Sequence, residues 1–393
     1  MSLTTVKDLD LTNKRVLVRV DFNVPLKEGK ITDDTRMVRA LPTLKYILEQ
    51  DGASLVVMSH LGRPSEEREP QYSLSQLKDH LAKLTGTNVI MAPDCVGSEV
   101  ELLAKDLKAG EILLLENTRY HKAEKKNDEA FAKQLAALAD VYVNDAFGTA
   151  HRAHASTEGV TKFIPSCAGF LMETECNFFD KVLIAPEKPF VAIIGGAKVS
   201  SKITVLESML DKCSTFVIGG GMAYTFMKVK GYEIGKSMFE EDFLDTAKKF
   251  LDDAEKAGVE VILPLDHVCA AEFGENASPV AVDDINIPSD LMALDVGPKT
   301  SELVKERVLA AKMIVWNGPM GVFEFDNFAK GTKDVASFVA QCKGVTVVGG
   351  GDSVAAVNKF GFADQIDHVS TGGGASLEYL EGKVLPGVVA LRK

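Results

Sequence analysis

Short, mainly apolar runs recur along the whole chain, and amphipathic stretches separate them. The runs are rich in β-branched side chains and do not alternate with polar residues, which is typical of parallel strands buried on both faces. They occupy residues 15–20, 55–58, 89–91, 112–115 and 141–143 in the first half, and residues 190–194, 216–218, 261–263, 313–316 and 345–348 in the second.

The stretches between these runs have helical patterns. Residues 127–139 begin with Asn127 and Asp128, carry acids in the first turn, and place Phe131, Leu135 and Leu138 on one stripe. That pattern predicts a capped amphipathic helix. Strands that alternate with helices predict a parallel sheet covered on both faces. Two such series predict two doubly wound, Rossmann-like α/β domains.

The boundary between the two domains falls near a helical stretch at residues 170–184, which follows Pro165 and Gly169. We predict a first domain at residues 1–170, an interdomain helix at residues 171–184, and a second domain from residue 185 to residue 376. The chain has neither a fixed-period repeat nor a low-complexity linker, so the domains should share structured connections.

Length and charge narrow the class of protein. A chain of 393 residues exceeds one ordinary hydrophobic core. The net charge of −12 argues against generic binding to nucleic acid or acidic membranes, but not against small anionic ligands. The chain begins without the features of a signal peptide, has no apolar run of about 20 residues, and has six scattered cysteines with no CxxC pair. We therefore expect a cytoplasmic location and reduced thiols rather than zinc ligands.

Arginines and histidines follow the apolar runs of the first half. Because ligands bind beyond the carboxyl ends of strands in an open parallel sheet, these segments are the candidate site. Each guanidinium offers a two-point fork for carboxylate or phosphate, so several together predict a pocket for a ligand with more than one anionic group. The candidates are Asp21, Asn23, Arg36, Ser59, His60, Leu61, Gly62, Arg63, Arg119, His151, Arg152 and His154.

Glycines occupy the same positions in the second half. Glycine lets backbone N–H groups approach phosphate oxygens, and a following helix adds its positive end. A single glycine run is often a tight turn, but five at strand ends predict a phosphate site. The candidates are Gly196, Lys198, Lys202, Gly219, Gly220, Gly221, Gly318, Gly350, Gly351, Asp352, Ser353, Gly372, Gly373 and Gly374, and Asn317 and Glu324 lie in the same segments.

Other site types fit the sequence less well. The chain lacks a P-loop, a GxGxxG in the first strand-to-helix turn, and a GxSxG. His151 and His154 are three residues apart, but Arg152 between them would repel a cation, and no third ligand completes a zinc pattern. Asp352 fits either a helix N-cap or a Mg²⁺ ligand that shares the ion with phosphate oxygens.

The motifs together resemble the phosphoglycerate kinase family. They are RVDFNVPL, SHLGRP, LLENTR and NDAFGTAHRAHAS in the first half, and GGAKVSSKI, GGGMAYTF, WNGPMGVFE, GGGDS and STGGGASLEYLEGK in the second. They run in the family's order from about residue 15 to about residue 383. The one departure is Ser201, where many members have Asp, and it lies at a position with no assigned role.

The resemblance implies two domains that face each other across a cleft, joined by a helix and hinge, in a monomer. The first would bind 3-phosphoglycerate or 1,3-bisphosphoglycerate, and the second MgADP or MgATP, with the tail at residues 377–393 packed on the first domain. Asp352 would hold Mg²⁺, the glycines at 219–221 would lie near the adenine, and Glu324 would meet the ribose. The catalytic groups would be Arg36, Lys198, and the amides of Gly372, Gly373 and Gly374.

Two other functions remain open from the residues alone. A nicotinamide-dependent dehydrogenase with two α/β domains would require the dinucleotide glycine fingerprint and an acid about 20 residues later. A non-catalytic, hinge-closing binder of anionic metabolites would explain the arginines but leave the glycine-rich half without a role.

Overall fold

The chain divides into two compact units. In the computed structural model, which describes residues 2–65 and 68–392, unit 1 comprises Met1–Asn177 and Val384–Lys393, and unit 2 comprises Phe178–Lys383. Each unit has its own six-stranded sheet and its own buried apolar cluster. No helix of the described residues is both long enough and apolar enough to cross a membrane.

Unit 1 is built on a six-stranded parallel sheet with the order β5-β6-β4-β1-β7-β8. A small antiparallel hairpin joins β2 and β3, and the helix α6 begins in unit 1 and ends in unit 2. The elements are β1 (Arg15–Arg19), β2 (Leu26–Lys27), β3 (Lys30–Ile31), α1 (Thr35–Leu48), β4 (Ser54–Met58), α2 (Lys78–Thr85), β5 (Val89–Met91), α3 (Ser98–Lys105), β6 (Ile112–Leu114), α4 (Lys122–Lys125), α5 (Glu129–Ala136), β7 (Val141–Asn144), β8 (Ser166–Ala168) and α6 (Phe170–Ile184).

Unit 2 has a second six-stranded parallel sheet, with the order β11-β10-β9-β15-β16-β17, and a three-stranded antiparallel sheet, β13-β12-β14. Its elements are β9 (Phe190–Ile194), α7 (Ile203–Met209), β10 (Thr215–Ile218), α8 (Ala223–Val229), α9 (Leu244–Lys256), β11 (Glu260–Ile262), β12 (His267–Ala270), β13 (Val280–Val282), β14 (Met292–Val296), α10 (Pro298–Ala310), β15 (Met313–Asn317), α11 (Lys330–Gln341), β16 (Val345–Val348), α12 (Gly351–Lys359), β17 (His368–Val369) and α13 (Gly374–Leu380).

The central strands are buried from end to end, which is why they are continuously apolar in sequence. All five residues of β4, β9 and β15 are buried. Helices cover both faces of a doubly wound sheet, so neither set of side chains on a central strand meets water. The parallel runs predicted from the sequence are confirmed, with boundaries that differ by one residue at most.

The helix predicted at residues 127–139 is present but shorter. It is α5, Glu129–Ala136, and the side chain of Asp128 caps it by accepting a hydrogen bond from Phe131 N at 2.9 Å. Asn127 lies outside because its φ of 53° is left-handed. At the other end, residues 137–139 lie in the turn that leads to β7 and are not helical. The apolar periodicity continues past the last helical hydrogen bond, which is why the predicted helix was too long.

The chain end returns to unit 1. The last helix, α14 (Pro386–Val389), packs there, where Gly387 N donates to Ala150 O at 2.9 Å and Thr4 N donates to Leu391 O at 3.1 Å. Residues 377–383 belong instead to unit 2, since Ser208 Oγ donates to the carbonyl of Leu380 at 2.6 Å. The segment that joins unit 1 is therefore shorter than the tail predicted from residue 377.

Candidate active site

The cationic segments of unit 1 follow four strands that are neighbours in the sheet. Asp21 and Asn23 follow β1, His60 and Arg63 follow β4, Arg119 follows β6, and residues 151–154 follow β7. These strands stand in the order β6-β4-β1-β7 and are all parallel. Their carboxyl ends therefore meet along one edge, and the predicted substrate residues converge there from distant parts of the chain.

The start of α1 is fastened to this edge. Arg36, in the first turn of α1, places Nη1 3.2 Å from Asp21 Oδ2 and donates to the carbonyl of Asn23 at 3.0 Å. The side-chain oxygen of Asn23 accepts from Gly62 N at 2.7 Å. These contacts fix the loops after β1 and β4 to each other. The Arg36 side chain nevertheless remains 36% exposed.

Arg19 is a member of this cluster that the sequence reasoning missed. It is the last residue of β1 and only 1% exposed. Its Nε donates to Ser156 Oγ at 2.8 Å, and its Nη2 lies 3.1 Å from His60 Nδ1. The available signal was a charged residue inside a run that is otherwise apolar and buried, which is costly unless the charge has a partner or a ligand.

Burial and the arginines together determine the protonation of the histidines here. Burial is the main cause that holds the pKa of His60 well below its usual value, and the charges of Arg19, Arg119, Arg36 and Arg152 add to it. Burial, and then the charges of Arg19, Arg119 and Arg152, lower the pKa of His154 to about 4. Burial, and then Arg19 and Arg152, lowers the pKa of Arg119 to about 10. The imidazoles are therefore neutral at physiological pH, and the arginines supply the positive charge.

The remaining predicted residues of this edge have varied environments. Ser59 Oγ accepts from Phe22 N at 2.8 Å and donates to His60 O, and Leu61 O accepts from Asn117 at 2.7 Å, so both support the loop from within. Arg119 Nη1 donates to Gly62 O at 2.7 Å. Arg63 and Arg152 are exposed, and Arg152 Nε donates to His151 Nε2 at 3.0 Å.

Glu124 is a second residue that the sequence did not single out. It is fully buried, and its carboxylate accepts from the N–H of Ser156 at 2.9 Å and from the Ser156 hydroxyl at 2.5 Å. It also lies 3.7 Å from His154 Nδ1. Glu124 thus holds the loop after β7 and partly offsets the arginine charge behind the edge.

The glycine-rich loops of unit 2 also follow neighbouring strands. The order β10-β9-β15-β16-β17 brings all five loops to one edge of a parallel sheet. Each loop contains one glycine whose φ is positive, from 53° to 121°, a conformation that other residues adopt only with strain. These residues are Gly196, Gly220, Gly318, Gly350 and Gly373.

Close backbone approaches explain further glycines. A Cβ on Gly318 would lie 2.1 Å from the carbonyl oxygen of Gly195, and a Cβ on Gly220 would lie 2.5 Å from the carbonyl oxygen of Gly196. The three loops after β9, β10 and β15 are therefore packed backbone against backbone. Their packing leaves peptide groups, rather than side chains, at the end of the sheet.

Asn317 connects the loops through its side chain. It is fully buried at the end of β15, where its Oδ1 accepts a hydrogen bond from Lys202 and its Nδ2 donates to Gly349 O at 2.9 Å. Burial lowers the pKa of Lys202, and the charge of Asp352 acts in the opposite direction. Lys198, by contrast, is exposed.

The start of α12 offers uncapped backbone N–H groups beside an exposed carboxylate. Gly350 provides no capping side chain, so the first N–H groups of this nine-residue helix are available to phosphate oxygens. Asp352 is exposed in the first turn, while Ser353 is buried and accepts from Gly318 N. One free carboxylate beside a phosphate site fits Mg²⁺, which keeps several waters and takes few protein ligands.

An apolar pocket of about 240 Å³ opens beside Gly220 and Gly221. Its walls suit a flat ring, because three methionines, two aromatic rings and aliphatic side chains line most of it, with Lys236 and Ser237 as the polar members. Glu324 is exposed two residues beyond Val322, which lines the pocket. The lining side chains, which the sequence did not single out, include Tyr224, Met238, Phe273, Met292, Leu294 and Met320.

Comparisons with known proteins agree along the whole chain. The profile described as Phosphoglycerate kinase matches residues 6–383. The chain is 57% identical over 393 residues to the phosphoglycerate kinase of Borrelia turicatae and 58% identical over 391 residues to that of Borrelia duttonii, with all of each chain covered. The structure of phosphoglycerate kinase from Coxiella burnetii superposes with a TM-score of 0.90 at 43% identity, covering 99% of both chains.

A more distant solved structure, Phosphoglycerate Kinase from Pyrococcus horikoshii OT3, superposes with a TM-score of 0.84 at 32% identity and covers 99% of this chain and 98% of its own. Matches of this length and identity extend over both sheets and all the loops that carry the candidate residues. The chain belongs to the phosphoglycerate kinase family.

Proposed function

We propose that the chain transfers a phosphoryl group reversibly between the acyl phosphate of 1,3-bisphosphoglycerate and MgADP, giving 3-phosphoglycerate and MgATP, a step of glycolysis and gluconeogenesis. The observation that carries this proposal is the field at His60. Four guanidinium groups act on this one buried imidazole, and all four depress its pKa. A site so positive, in a chain of net charge −12, is suited to a small polyanion.

In the proposal, the exposed forks of unit 1 bind the phosphate and carboxylate of the triose acid. Arg63 and Arg152 are exposed, and Arg36 is partly exposed. Their guanidinium groups are therefore available for two-point contacts with an anion. Asp21 and Asn23 fasten Arg36 and serve as hydrogen-bond partners for the ligand's hydroxyl group. His60 and His154, being neutral, each offer one donor and one acceptor nitrogen.

The glycine loops of unit 2 bind the nucleotide in this proposal. The apolar pocket beside Gly220 and Gly221 takes the purine ring, and Glu324 takes the ribose hydroxyls. Lys202 and the N–H groups at the start of α12 bind the phosphate chain. Asp352 would hold Mg²⁺, which supplies positive charge that offsets the charge of the phosphates.

Catalysis in this site rests on charge and alignment. In the direction that consumes ATP the nucleophile is a carboxylate, already ionised at neutral pH, so no general base is required. We assign Arg36 and Lys198 to the oxygens of the transferring group, together with the backbone amides of Gly372, Gly373 and Gly374. These groups stabilise the spreading negative charge as the phosphoryl group moves in line between donor and acceptor.

The two ligands are assigned to different units, so transfer requires a closed conformation in which the reacting oxygens meet. Closure also excludes water from the acyl phosphate. Small-angle scattering measures the step directly. We expect the radius of gyration to fall only when 3-phosphoglycerate and a nucleotide are both bound, and equal values in all ligand states would contradict a large closure.

We also propose that the protein is cytoplasmic and monomeric. All six cysteines are free, and five of them are buried. Reduced, scattered thiols suit a reducing compartment.

The first experiment mixes the purified protein with MgATP and follows ADP with and without 3-phosphoglycerate. ADP that forms only with the acid, and stops when Mg²⁺ is chelated, supports the proposal. ADP release without the acid would indicate a nucleotidase. Absent turnover with MgADP still bound would indicate a binding protein that has kept the motifs.

A further inference from the structure

One group of side chains outside the candidate active site brings three different metal-ligand types together. Asp94 and Cys95 lie in the loop after β5, and His121 lies between β6 and α4. A carboxylate oxygen, the thiol sulfur and an imidazole nitrogen all lie within 4.8 Å of one another. Twenty-five residues separate Cys95 from His121, so no short sequence motif contains them.

Small movements would bring the three atoms to the spacing of a coordination shell. His121 Nε2 lies 2.6 Å from Asp94 Oδ1, and the sulfur of Cys95, which now donates to the carbonyl of Glu116 at 2.9 Å, lies no more than 4.8 Å from either. Around a tetrahedral Zn²⁺, with Zn–N near 2.0 Å and Zn–S near 2.3 Å, ligand atoms are about 3.3–3.7 Å apart. The pair of Asp94 and His121 must open by less than about 1 Å to admit an ion.

The local field favours a cation. The carboxylates of Asp94, Glu116 and Glu124 all act on the Cys95 thiol. Their negative charges attract a divalent cation to this place. The positive charge of Arg68 opposes this attraction. Its half-exposed guanidinium contacts Asp94 Oδ2, whereas His121 contacts the other oxygen, Oδ1.

The cluster can be reached from solvent. The side chains of Asp94 and His121 are 27% and 25% exposed, whereas Cys95 is fully buried behind them. An ion can therefore enter past the carboxylate and the imidazole and reach the sulfur last. This arrangement differs from that of the other buried cysteines, since no other group of three such ligands occurs among residues 2–65 and 68–392.

We propose that Asp94 Oδ1, Cys95 Sγ and His121 Nε2 bind a thiophilic divalent cation of the Zn²⁺ class, with water as the fourth ligand. When the ion binds, the thiol proton passes to the solvent, and the imidazole proton moves to Nδ1 so that the lone pair of Nε2 is free to bind the ion. The site is distinct from that of the nucleotide's Mg²⁺, because a thiolate and an imidazole select Zn²⁺ over a cation that takes oxygen ligands.

Occupancy should reduce the proposed kinase activity. His121 follows Arg119 by two residues, and Glu124, which holds Ser156 and contacts His154, is three residues further on. An ion that draws His121 away from its present hydrogen bond shifts the segment that carries these groups. This second part rests on the proposed function, whereas binding of the ion does not.

The test is a titration of the metal-free protein with Zn²⁺ in competition with a chromophoric chelator, repeated with Co²⁺ to detect thiolate-to-cobalt charge transfer. We expect one equivalent of Zn²⁺ to bind and the charge-transfer band to appear. Cys95→Ser and His121→Gln should each weaken binding by at least about 10-fold, and Cys95→Ser should abolish the band.

Matched controls separate the site from general surface binding. His80→Gln removes an imidazole that pairs with Asp34 at 2.8 Å and that belongs to no group of three such ligands in the described part of the chain. Cys213→Ser removes a buried thiol of unit 2. Both controls should bind Zn²⁺ like the parent protein. Thermal melts identify a variant that fails to fold, and His121→Gln, at a partly exposed position, keeps the test valid if Cys95→Ser does not fold.

Binding that survives both site substitutions, a cobalt complex without the band, or no binding at all would overturn the proposal and leave a hydrogen-bonded network. Activity measured with and without Zn²⁺ tests the inhibitory part by itself. If the protein is inactive as a kinase but still binds one equivalent of Zn²⁺, the result counts against the proposed function and still supports the metal site.

Discussion

The carboxylate of Asp145 caps a helix that begins 25 residues later in the chain: its Oδ1 accepts a hydrogen bond from Leu171 N at 2.9 Å. The next amide, Met172 N, lies 3.3 Å from the same oxygen. The N-cap position of α6 is a glycine, Gly169, and a Cβ there would lie 2.3 Å from Asp145 Oδ1. A remote carboxylate thus replaces the local capping side chain and ties the end of β7 to the first turn of α6.

Asp145 should make stability depend on pH. Burial raises its pKa to about 7, although the hydrogen bonds from Thr43 and from the two amides of α6 lower it in part. Between about pH 4 and pH 7 the unfolded chain loses this proton while the folded chain keeps it, so stability falls as pH rises through that window and levels above it. At about 1.4 kcal/mol per pKa unit, the fall amounts to at most about 4 kcal/mol.

The variant Asp145→Asn should remove this contribution, because its amide oxygen still caps α6 and does not titrate. We expect the exchange of the Leu171 and Met172 amides to become less sensitive to pH than in the parent protein. Asp295 of unit 2 has a pKa raised to about 7 by burial as well, so Asp295→Asn serves as a control that leaves those two amides unaffected. Equal pH sensitivity in the parent and Asp145→Asn would contradict the assignment.

The charge of Arg36 should be needed for transfer. We expect Arg36→Ala to lower kcat by roughly 10²–10⁵, judging from cationic groups in comparable reactions. Arg39→Ala, an exposed arginine on the same helix, should stay within about twofold by the usual weakness of surface charges. Lys198→Ala should resemble Arg36→Ala. A loss below about tenfold with binding unchanged would remove the residue from the catalytic role.

His60 and His154 should stay neutral across the physiological range. The pKa of His60 lies well below its usual value, and that of His154 is about 4, in both cases through burial first and neighbouring arginines second. Their ring proton signals in NMR spectra should therefore not shift between pH 6 and pH 8. Saturation with 3-phosphoglycerate should raise both pKa values, because the anion offsets the arginine field. A titration midpoint near 6.5 in the free protein would refute this prediction.

Gly318 should tolerate no side chain. Gly318→Ala combines a φ of 97° with a Cβ 2.1 Å from Gly195 O. Gly361→Ala is the matched control, with a φ of 75° and no atom within 4 Å of its Cβ. The control should cost about 1–2 kcal/mol, the strain of a left-handed backbone. Gly318→Ala should cost at least about 4 kcal/mol, because backbone must move in two loops. Urea unfolding followed by the fluorescence of Trp316, the single tryptophan, measures both, and equal costs would contradict the close approach.

The sequence by itself determined the strands and the loop chemistry. A continuously apolar run such as residues 190–194 is buried only where both faces of the strand are covered, as in a parallel sheet between two layers of helices. The parallel sheets could therefore be predicted from the local pattern. Glycines after five strands indicated unusual backbone, and each loop does contain one left-handed glycine. Capping residues located α5, although periodicity overestimated its length. These features depend on a residue and its near neighbours in the chain.

Only the tertiary structure decided which of these segments meet. The strand order β6-β4-β1-β7 gathers Asp21, His60 and Arg119 at one edge, and it depends on pairings between strands that are far apart in sequence. The small β12–β14 sheet, which contributes to the apolar pocket, was not predicted from the sequence because its strands are short and separated by loops. Arg19 resembled an ordinary charge until its burial was known. Asp94, Cys95 and His121 form no motif in the sequence, because the fold brings them within 4.8 Å of one another from two separate loops.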